Sequence, residues 1–305
     1  MKNEATGHWL HGEQVLILHN RRAGQRGGVS KVDQLEQTLR ESGLQPVKCG
    51  SVEQLAEAHA RGSARAVVCA GGDGTANAAF SVVGHEVPLL PYPLGNENLL
   101  AKYLGVTTDA HQCAERLVRG RAAAFDVGVH GDRHFMLMLS SGIDADVVER
   151  VHRHRTGHIS RRDYVRQMWR ALQEYRFEPI IVEWMDPAGT HQTVEGHWVF
   201  VFNFPTYACG LGLAAEADPQ DGWLDVRVFR GNSIIRNLGH LVTVWTRSHG
   251  DWSGCYKFRA TQLRLSSPAV VPIQFDGDPG GQTSVDVHIL PRGMQLVMGP
   301  SPGPA

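Results

Sequence analysis

One pattern recurs three times in the first 120 or so residues of this 305-residue chain: an apolar run, a polar loop rich in glycine or asparagine, and a helical segment. The apolar runs are QVLILHN (14–20), ARAVVCA (64–70) and VPLLPYPL (87–94), each typical of a buried strand. Strands that alternate with helices predict a parallel sheet with helices on both faces. In such sheets ligands bind beyond the carboxyl ends of the strands, where the three loops should gather.

The second part of the chain has a different pattern, in which strand-like runs such as GHWVFVFNF and WLDVRVFRG are separated by turn signals such as DPAG and DGDPGG. This pattern predicts an antiparallel β-sandwich, interrupted by helices around 145–175 and 233–248. We therefore expect a three-layer α/β domain with a parallel sheet over 12–124. A β-sandwich domain should follow over 125–298, with its last strand able to return to the first domain, and a disordered tail over 299–305.

Composition excludes several classes of protein. A formal net charge of −1 gives no general attraction to nucleic acid. The five cysteines are scattered without CxxC spacing, which argues against a disulfide framework or zinc site and fits a reducing compartment. The polar N-terminus predicts no signal peptide, and no apolar run approaches the roughly 20 residues of a membrane span. We expect a cytoplasmic protein.

The second loop, GGDGT, carries the most informative chemistry. Gly71, Gly72 and Gly74 leave the main chain open to a ligand, and the start of the following helix favours a phosphate group. Thr75 suits the N-cap position of that helix and can also present its hydroxyl to a phosphate. Asp73 would repel an anion unless it holds Mg²⁺ or takes a proton, which favours phosphoryl transfer. The alternative is a tight turn in which Asp73 provides a local cap.

Seven segments in order along the chain resemble the diacylglycerol kinase catalytic-domain family, which includes soluble bacterial lipid kinases and the sphingosine and ceramide kinases. The segments are HNRRAG (19–24), GGDGT (71–75), PLGNENLLA (93–101), FDVG (125–128), GIDADVVE (142–149), ADPQDGWLDV (217–226) and FDGDPGG (275–281). GGDGT alone would also fit NAD kinases, whereas the seven segments in this order are specific for the diacylglycerol kinase catalytic-domain family. The resemblance implies an ATP- and Mg²⁺-dependent kinase with a nucleotide cleft between two domains and a lipid hydroxyl as acceptor.

The resemblance also assigns roles by position. The general base falls on Asp278, with Asp73 organising Mg-ATP or sharing that role. A Mg²⁺ site falls on Asp221 and on backbone carbonyls near Asp218 and Trp223, an all-oxygen environment that suits this cation. The implied nucleotide-binding residues are Asn20, Gly24, Gly71, Gly72, Asp73, Gly74, Thr75, Asn77, Gly95, Asn96 and Asp276.

The implied partners are ATP and a lipid substrate, without nucleic acid. Residues 150–170 contain seven arginines and three histidines, which favours either a solvated helical face or a basic surface that docks on anionic lipid at the inner face of the membrane. The sequence is compatible with peripheral contact to a membrane and with a homodimer, and decides neither. The identity of the lipid depends on the shape of an apolar cleft, which no linear motif records.

Five positions depart from the family's pattern, among them Arg21 where a proline is usual and Leu99 where an aspartate is usual. Ala78 stands where a glutamate is usual, Asn96 where a threonine is usual, and Asp278 where a glutamate is usual. These departures leave two alternatives to a lipid kinase. One is a catalytically weakened homologue that binds nucleotide or lipid and regulates another process, and the other is a kinase of a soluble metabolite, as the NAD kinases are.

Overall fold

The computed structural model describes residues 8–19, 28–62, 64–153, 174–205, 213–231 and 254–300. These residues belong to two compact units, Met1–Phe125 with Arg292–Ala305 and Asp126–Pro291. The predicted helix around 233–248, most of the one around 145–175 and residues 301–305 of the predicted tail lie outside the described residues, as do Asn20 and Gly24. None of the described helices is both long enough and apolar enough to cross a bilayer.

The order of helices and strands follows the predicted change of pattern, from alternating strands and helices to strands interrupted by α6 Ile143–Arg153. In chain order the elements of the described residues are β1 His8–Trp9, β2 Gln14–His19, α1 Gly28–Glu41, β3 Gln45–Cys49, α2 Val52–Ala60, β4 Ala66–Gly71, α3 Asp73–Val83, β5 Leu89–Pro93, α4 Leu99–Leu104, α5 Ala110–Arg119, β6 Arg121–His130, β7 Arg133–Phe135, β8 Met138–Ser141, α6 Ile143–Arg153, β9 Ile180–Met185, β10 His191–Gly196, β11 Trp198–Phe202, β12 Leu224–Phe229, β13 Cys255–Ala260, β14 Gln262–Ser266, β15 Pro272–Phe275, β16 Asp278–Gln282 and β17 Val285–Met298.

The first unit is built on a parallel sheet with the strand order β3–β2–β4–β5, and the end of β17 adds to β5 through a parallel pairing of Leu296 with Leu89. All six residues of β4 are buried, as expected for a central strand of such a sheet. Helices α1 and α5 pack together, as do α2 and α3. Right-handed crossovers with this strand order place α1 on one face and α2 with α3 on the other, which confirms the predicted α/β class.

Local sequence explains where these helices lie. The apolar residues Val32, Leu35 and Leu39 repeat at intervals of three and four, so that they form the buried face of α1. Ser51 caps the N-terminus of α2, and Asp109 caps that of α5. The strands therefore deliver their carboxyl ends, and the loops that follow, to one edge of the sheet.

The second unit consists of antiparallel strands in two sheets. One contains β10–β9–β14 and the start of β17, and the other has the order β13–β12–β11–β8–β15–β16. Side chains from both sheets share one apolar core, with Phe135, Val182, Val199, Val226 and Val287 among its members. This arrangement confirms the predicted antiparallel β class of the second part of the chain.

Candidate functional site

The GGDGT loop joins β4 directly to α3. Gly72, in an extended conformation, is the N-cap residue of α3, so the prediction that Thr75 takes this position is wrong. Thr75 instead lies buried in the first turn, where its N–H donates to the Gly72 carbonyl at 2.9 Å. Its Oγ1 lies 2.1 Å from the position that a Cβ on Gly71 would take, which explains why no side chain fits there.

The loop after β5 lies against the GGDGT loop, main chain to main chain. A Cβ on Gly95 would come within 2.5 Å of the Gly72 Cα and 2.9 Å of Asn98 Oδ1. Asn98, with a left-handed φ of 51°, closes its loop by accepting from Gly95 N at 3.0 Å and donating to Gly95 O at 2.8 Å. The structure therefore brings two of the three predicted loops together, and their contact depends on glycine at position 95.

The Asp73 carboxylate holds these two loops in place. Its Oδ2 accepts from Leu99 N at 2.9 Å and its Oδ1 from Leu100 N at 3.0 Å, so it caps α4 while belonging to α3. Burial raises the pKa of the Asp73 carboxyl, and the N–H groups of Leu100 and Leu99 and the charge of Lys102 oppose that rise. The alternative considered for Asp73 was a local cap, whereas the carboxylate caps a helix that begins 26 residues further along the chain.

The remaining predicted nucleotide residues of this unit surround the start of α3. Gly74 and Asn96 are exposed, and Asn77 lies half-buried in the second turn of α3. The N-terminus of this 11-residue helix carries partial positive charge, which favours an anion such as a phosphate. Lys102, on α4, adds a cation close enough to act on Asp73. Sequence reasoning missed Lys102, although it is one of only five lysines in the chain.

We predict that Gly95→Ala separates the two loops, because the added Cβ has no space against Gly72 and Asn98. The free energy of unfolding should fall by about 1–3 kcal/mol, as measured by denaturant titration. Gly62→Ala is the matched control, since a Cβ there meets nothing within 4 Å and its φ is not positive. An equal loss of stability in both variants would contradict the close packing of the loops.

In the second unit, the Asp276 carboxylate binds three consecutive main-chain N–H groups. It accepts from Met136 at 2.7 Å, Leu137 at 2.8 Å and Met138 at 2.9 Å. Asp276 and Gly277 form the two-residue turn between β15 and β16 with φ values of 51° and 90°. The carboxylate predicted to contact nucleotide thus serves the protein's own main chain, and a nucleotide contact from Asp276 would have to use its backbone.

A buried polar network supports the same turn from the other side. Gln274 accepts from Gly277 N at 2.6 Å and donates to Ser140 Oγ at 2.9 Å and to Asp144 Oδ2 at 3.2 Å. Ser140 also donates to Asp144 Oδ2, at 2.5 Å, which joins the turn to the start of α6. Sequence reasoning did not identify Gln274; the only signal was a polar residue near the end of the apolar run VVPIQF.

Asp278 is the first residue of β16 and lies exposed directly after this turn, opposite Phe275 in the pairing of β15 with β16. Its main chain is positioned by the contacts of Asp276 and Gln274, while its own carboxylate faces solvent. The turn therefore presents one exposed carboxylate on a backbone fixed from two sides.

The loop 217–223 contains the predicted metal ligands. Asp126, which is buried, anchors it by accepting from Gly222 N and donating its own N–H to the Pro219 carbonyl, both at 2.7 Å.

Asp221 accepts from Trp223 N through Oδ1 at 3.0 Å, and its Oδ2 binds the guanidinium of Arg259. A Mg²⁺ ion does not fit here as predicted, because a fixed positive charge already lies on the only carboxylate assigned to it. Within the described residues, no three acidic, histidine or cysteine side chains form a group that could hold a metal.

Comparison with known protein families gives two matches that together span most of the chain. Residues 14–130 match the family described as "Diacylglycerol kinase catalytic domain". Residues 138–298 match the family described as "YegS C-terminal NAD kinase beta sandwich-like domain". The boundary between the two matches lies close to the point where the contact pattern divides the chain into two units.

Individual relatives are distant in sequence. An uncharacterized protein of Synechocystis is 22% identical over 75% of this chain, which spans only 54% of that protein. A diacylglycerol kinase of Mycobacterium tuberculosis is 28% identical, over 80% of this chain and 79% of its own length. A solved structure of a putative diacylglycerol kinase from Bacillus anthracis superposes with a TM-score of 0.74, covering 94% of this chain and 97% of the other at 15% identity, which shows a shared fold.

Proposed function

Since this chain belongs to the diacylglycerol kinase catalytic-domain family, we propose that it is an ATP-dependent lipid kinase, which transfers the γ-phosphoryl group of ATP to a lipid hydroxyl. The observation that carries this proposal is the contact of Gly72 with Gly95 beside the N-terminus of α3. This arrangement exposes main chain from two loops at a helix start, which is a site for a polyphosphate.

The contacts of Asp73 support phosphate binding at this site. An unpaired carboxylate beside a triphosphate would repel it, but this one accepts from the N–H groups of Leu99 and Leu100. Its negative charge is thus partly compensated by the start of α4, and Lys102 adds a positive charge nearby. We propose that ATP binds here as its magnesium complex, with Mg²⁺ arriving as part of the substrate.

We propose Asp278 as the general base. As the lipid hydroxyl attacks the γ-phosphorus, its proton passes to the Asp278 carboxylate, the bond from the γ-phosphorus to the bridging oxygen breaks, and ADP leaves. The contacts of Asp276 and Gln274 with the main chain of this turn support the assignment, because a general base depends on accurate positioning. We propose an acylglycerol or a sphingoid lipid as acceptor, met at a membrane surface.

The proposal is tested by incubating the purified chain with Mg-ATP and a panel of acceptors, and by measuring ADP together with the phosphorylated products by mass spectrometry. The panel contains diacylglycerol, sphingosine and ceramide in mixed micelles, with NAD and simple sugars as soluble acceptors. We expect one lipid phosphate to form in equal amount with ADP. Phosphorylation of NAD or a sugar alone, or nucleotide binding without ADP release across the whole panel, would contradict it.

A further inference from the structure

The side chain of Arg259 joins the loop 217–223 to the sheet beneath it. Its Nη2 binds Asp221 Oδ2, and its Nε lies 3.8 Å from Asp225 Oδ2. Its guanidinium carbon lies 5.5 Å from the centroid of the Trp223 ring. One arginine thus contacts two acidic residues and one aromatic residue of the same segment, a set of contacts that fixes both its position and its orientation.

The strand register explains why Arg259 is in this place. Asp225 of β12 pairs directly with Arg259 of β13, so the two side chains emerge on the same face of the sheet. The Asp225 side chain is only 4% exposed, and its Oδ1 lies 3.7 Å from Arg227 Nη2. Burial raises the pKa of Asp225, whereas the charges of Arg227 and Arg259 lower it. Acidic and basic side chains therefore alternate from the loop into the sheet.

Other polar groups of the loop are bonded to one another. Asp218 accepts from Gln220 N through Oδ1 at 3.1 Å, and its carbonyl accepts from Asp221 N at 3.3 Å. Asp221 Oδ1 is taken by Trp223 N. The Asp218 carbonyl and both carboxylate oxygens of Asp221 are thus already bonded to N–H donors, and the strongest of these donors carries a full positive charge.

We infer that Arg259 is the built-in cation of this loop: its guanidinium holds Asp221 and Asp225 in place of a divalent metal ion. The folded protein then needs no Mg²⁺ or Ca²⁺ at residues 217–223. Removing the guanidinium would leave the Asp221 and Asp225 carboxylates without the cation that they share, and carboxylate oxygens are ligands that these divalent cations prefer. Loss of Arg259 should therefore create a dependence on divalent cations that the natural chain lacks.

The test is thermal unfolding of the full chain without nucleotide, in EDTA and in increasing Mg²⁺ or Ca²⁺ at constant ionic strength. The natural chain should show no saturable change in Tm. Arg259→Met should unfold at a lower temperature in EDTA and recover by about 2–4 °C as the cation saturates. Arg264→Met is the matched control: Arg264 lies on β14, is similarly exposed and pairs with exposed Asp286. The Tm of Arg264→Met should fall by no more than about 2 °C and should not change with the concentration of either cation.

Two results would overturn the inference. One is a saturable Mg²⁺ or Ca²⁺ stabilisation of the natural chain that disappears in Asp221→Asn, since the loop would then bind metal with Arg259 present. The other is an Arg259→Met variant whose Tm is as indifferent to cations as that of the natural chain. If Arg259→Met does not fold, the first of these results still tests the inference, because it needs only the natural chain and Asp221→Asn. Because no nucleotide is present, the outcome is independent of the proposed kinase activity.

Discussion

Replacing Asp73 by asparagine is expected to reduce phosphoryl transfer by at least about 10²-fold while the chain remains folded. An amide has one acceptor oxygen, so it can retain only one of the two N–H donors, Leu99 and Leu100, that the carboxylate binds. Its NH₂ group would then face the other donor. The start of α4 should shift, and with it the Gly95 loop that lies against Gly72. Turnover is measured as ADP release with the lipid acceptor that the panel assay selects.

The cost in stability of the same substitution is expected to be moderate, at about 1–3 kcal/mol, because one buried N–H loses its partner. Asp109→Asn is the matched control. Asp109 also caps a helix through its carboxylate, but its Oδ1 alone accepts from both His111 N at 2.8 Å and Gln112 N at 3.3 Å, so an asparagine oxygen can keep both contacts. We expect Asp109→Asn to change stability by less than about 0.5 kcal/mol and to leave turnover unchanged, because asparagine is about as favourable as aspartate at an N-cap. Undiminished turnover in Asp73→Asn would refute the assignment of Asp73.

Asp73 also illustrates what the sequence can predict. The residue types of GGDGT indicate an anion site at the end of a strand, because glycine, a buried strand and a helix start are local features. The partners of Asp73 are not local: Leu99 and Leu100 reach it only because the loops after β4 and β5 meet. Thr75 was misplaced as N-cap because N-cap preference is statistical, whereas the main chain at Gly72 was already extended.

In the second unit, too, the sequence predicts local features but not the contacts between distant segments. Its antiparallel class was predictable from alternating strands and turn signals. The contact of Arg259 with Asp221 was not, because it depends on the register of β12 against β13, and a shift of one residue would turn Arg259 to the opposite face. Gln274 was missed for a related reason. A glutamine in an apolar run is informative only when its neighbours, here Ser140 and Asp144, are known.

Asp276→Asn is expected to cause the largest loss of stability of any substitution considered, at about 2–4 kcal/mol. The carboxylate accepts three main-chain N–H groups, and an amide oxygen cannot replace it at all three. Asparagine tolerates the left-handed φ of 51°, so the variant tests the carboxylate without adding backbone strain. Denaturant titration measures the effect. Asp286→Asn, on exposed Asp286 of β17, is the control and should change stability by less than about 0.5 kcal/mol.

Asp278→Asn, two residues further along the same hairpin, should have the opposite profile. The side chain is exposed, so we expect a change in stability within about 0.5 kcal/mol. If Asp278 is the general base, turnover should fall by about 10²–10⁴-fold with little change in the KM for ATP. The two variants then separate the structural carboxylate of the turn from the reactive one. Full turnover in Asp278→Asn would show that another residue is the general base, even if Asp276→Asn behaves as expected.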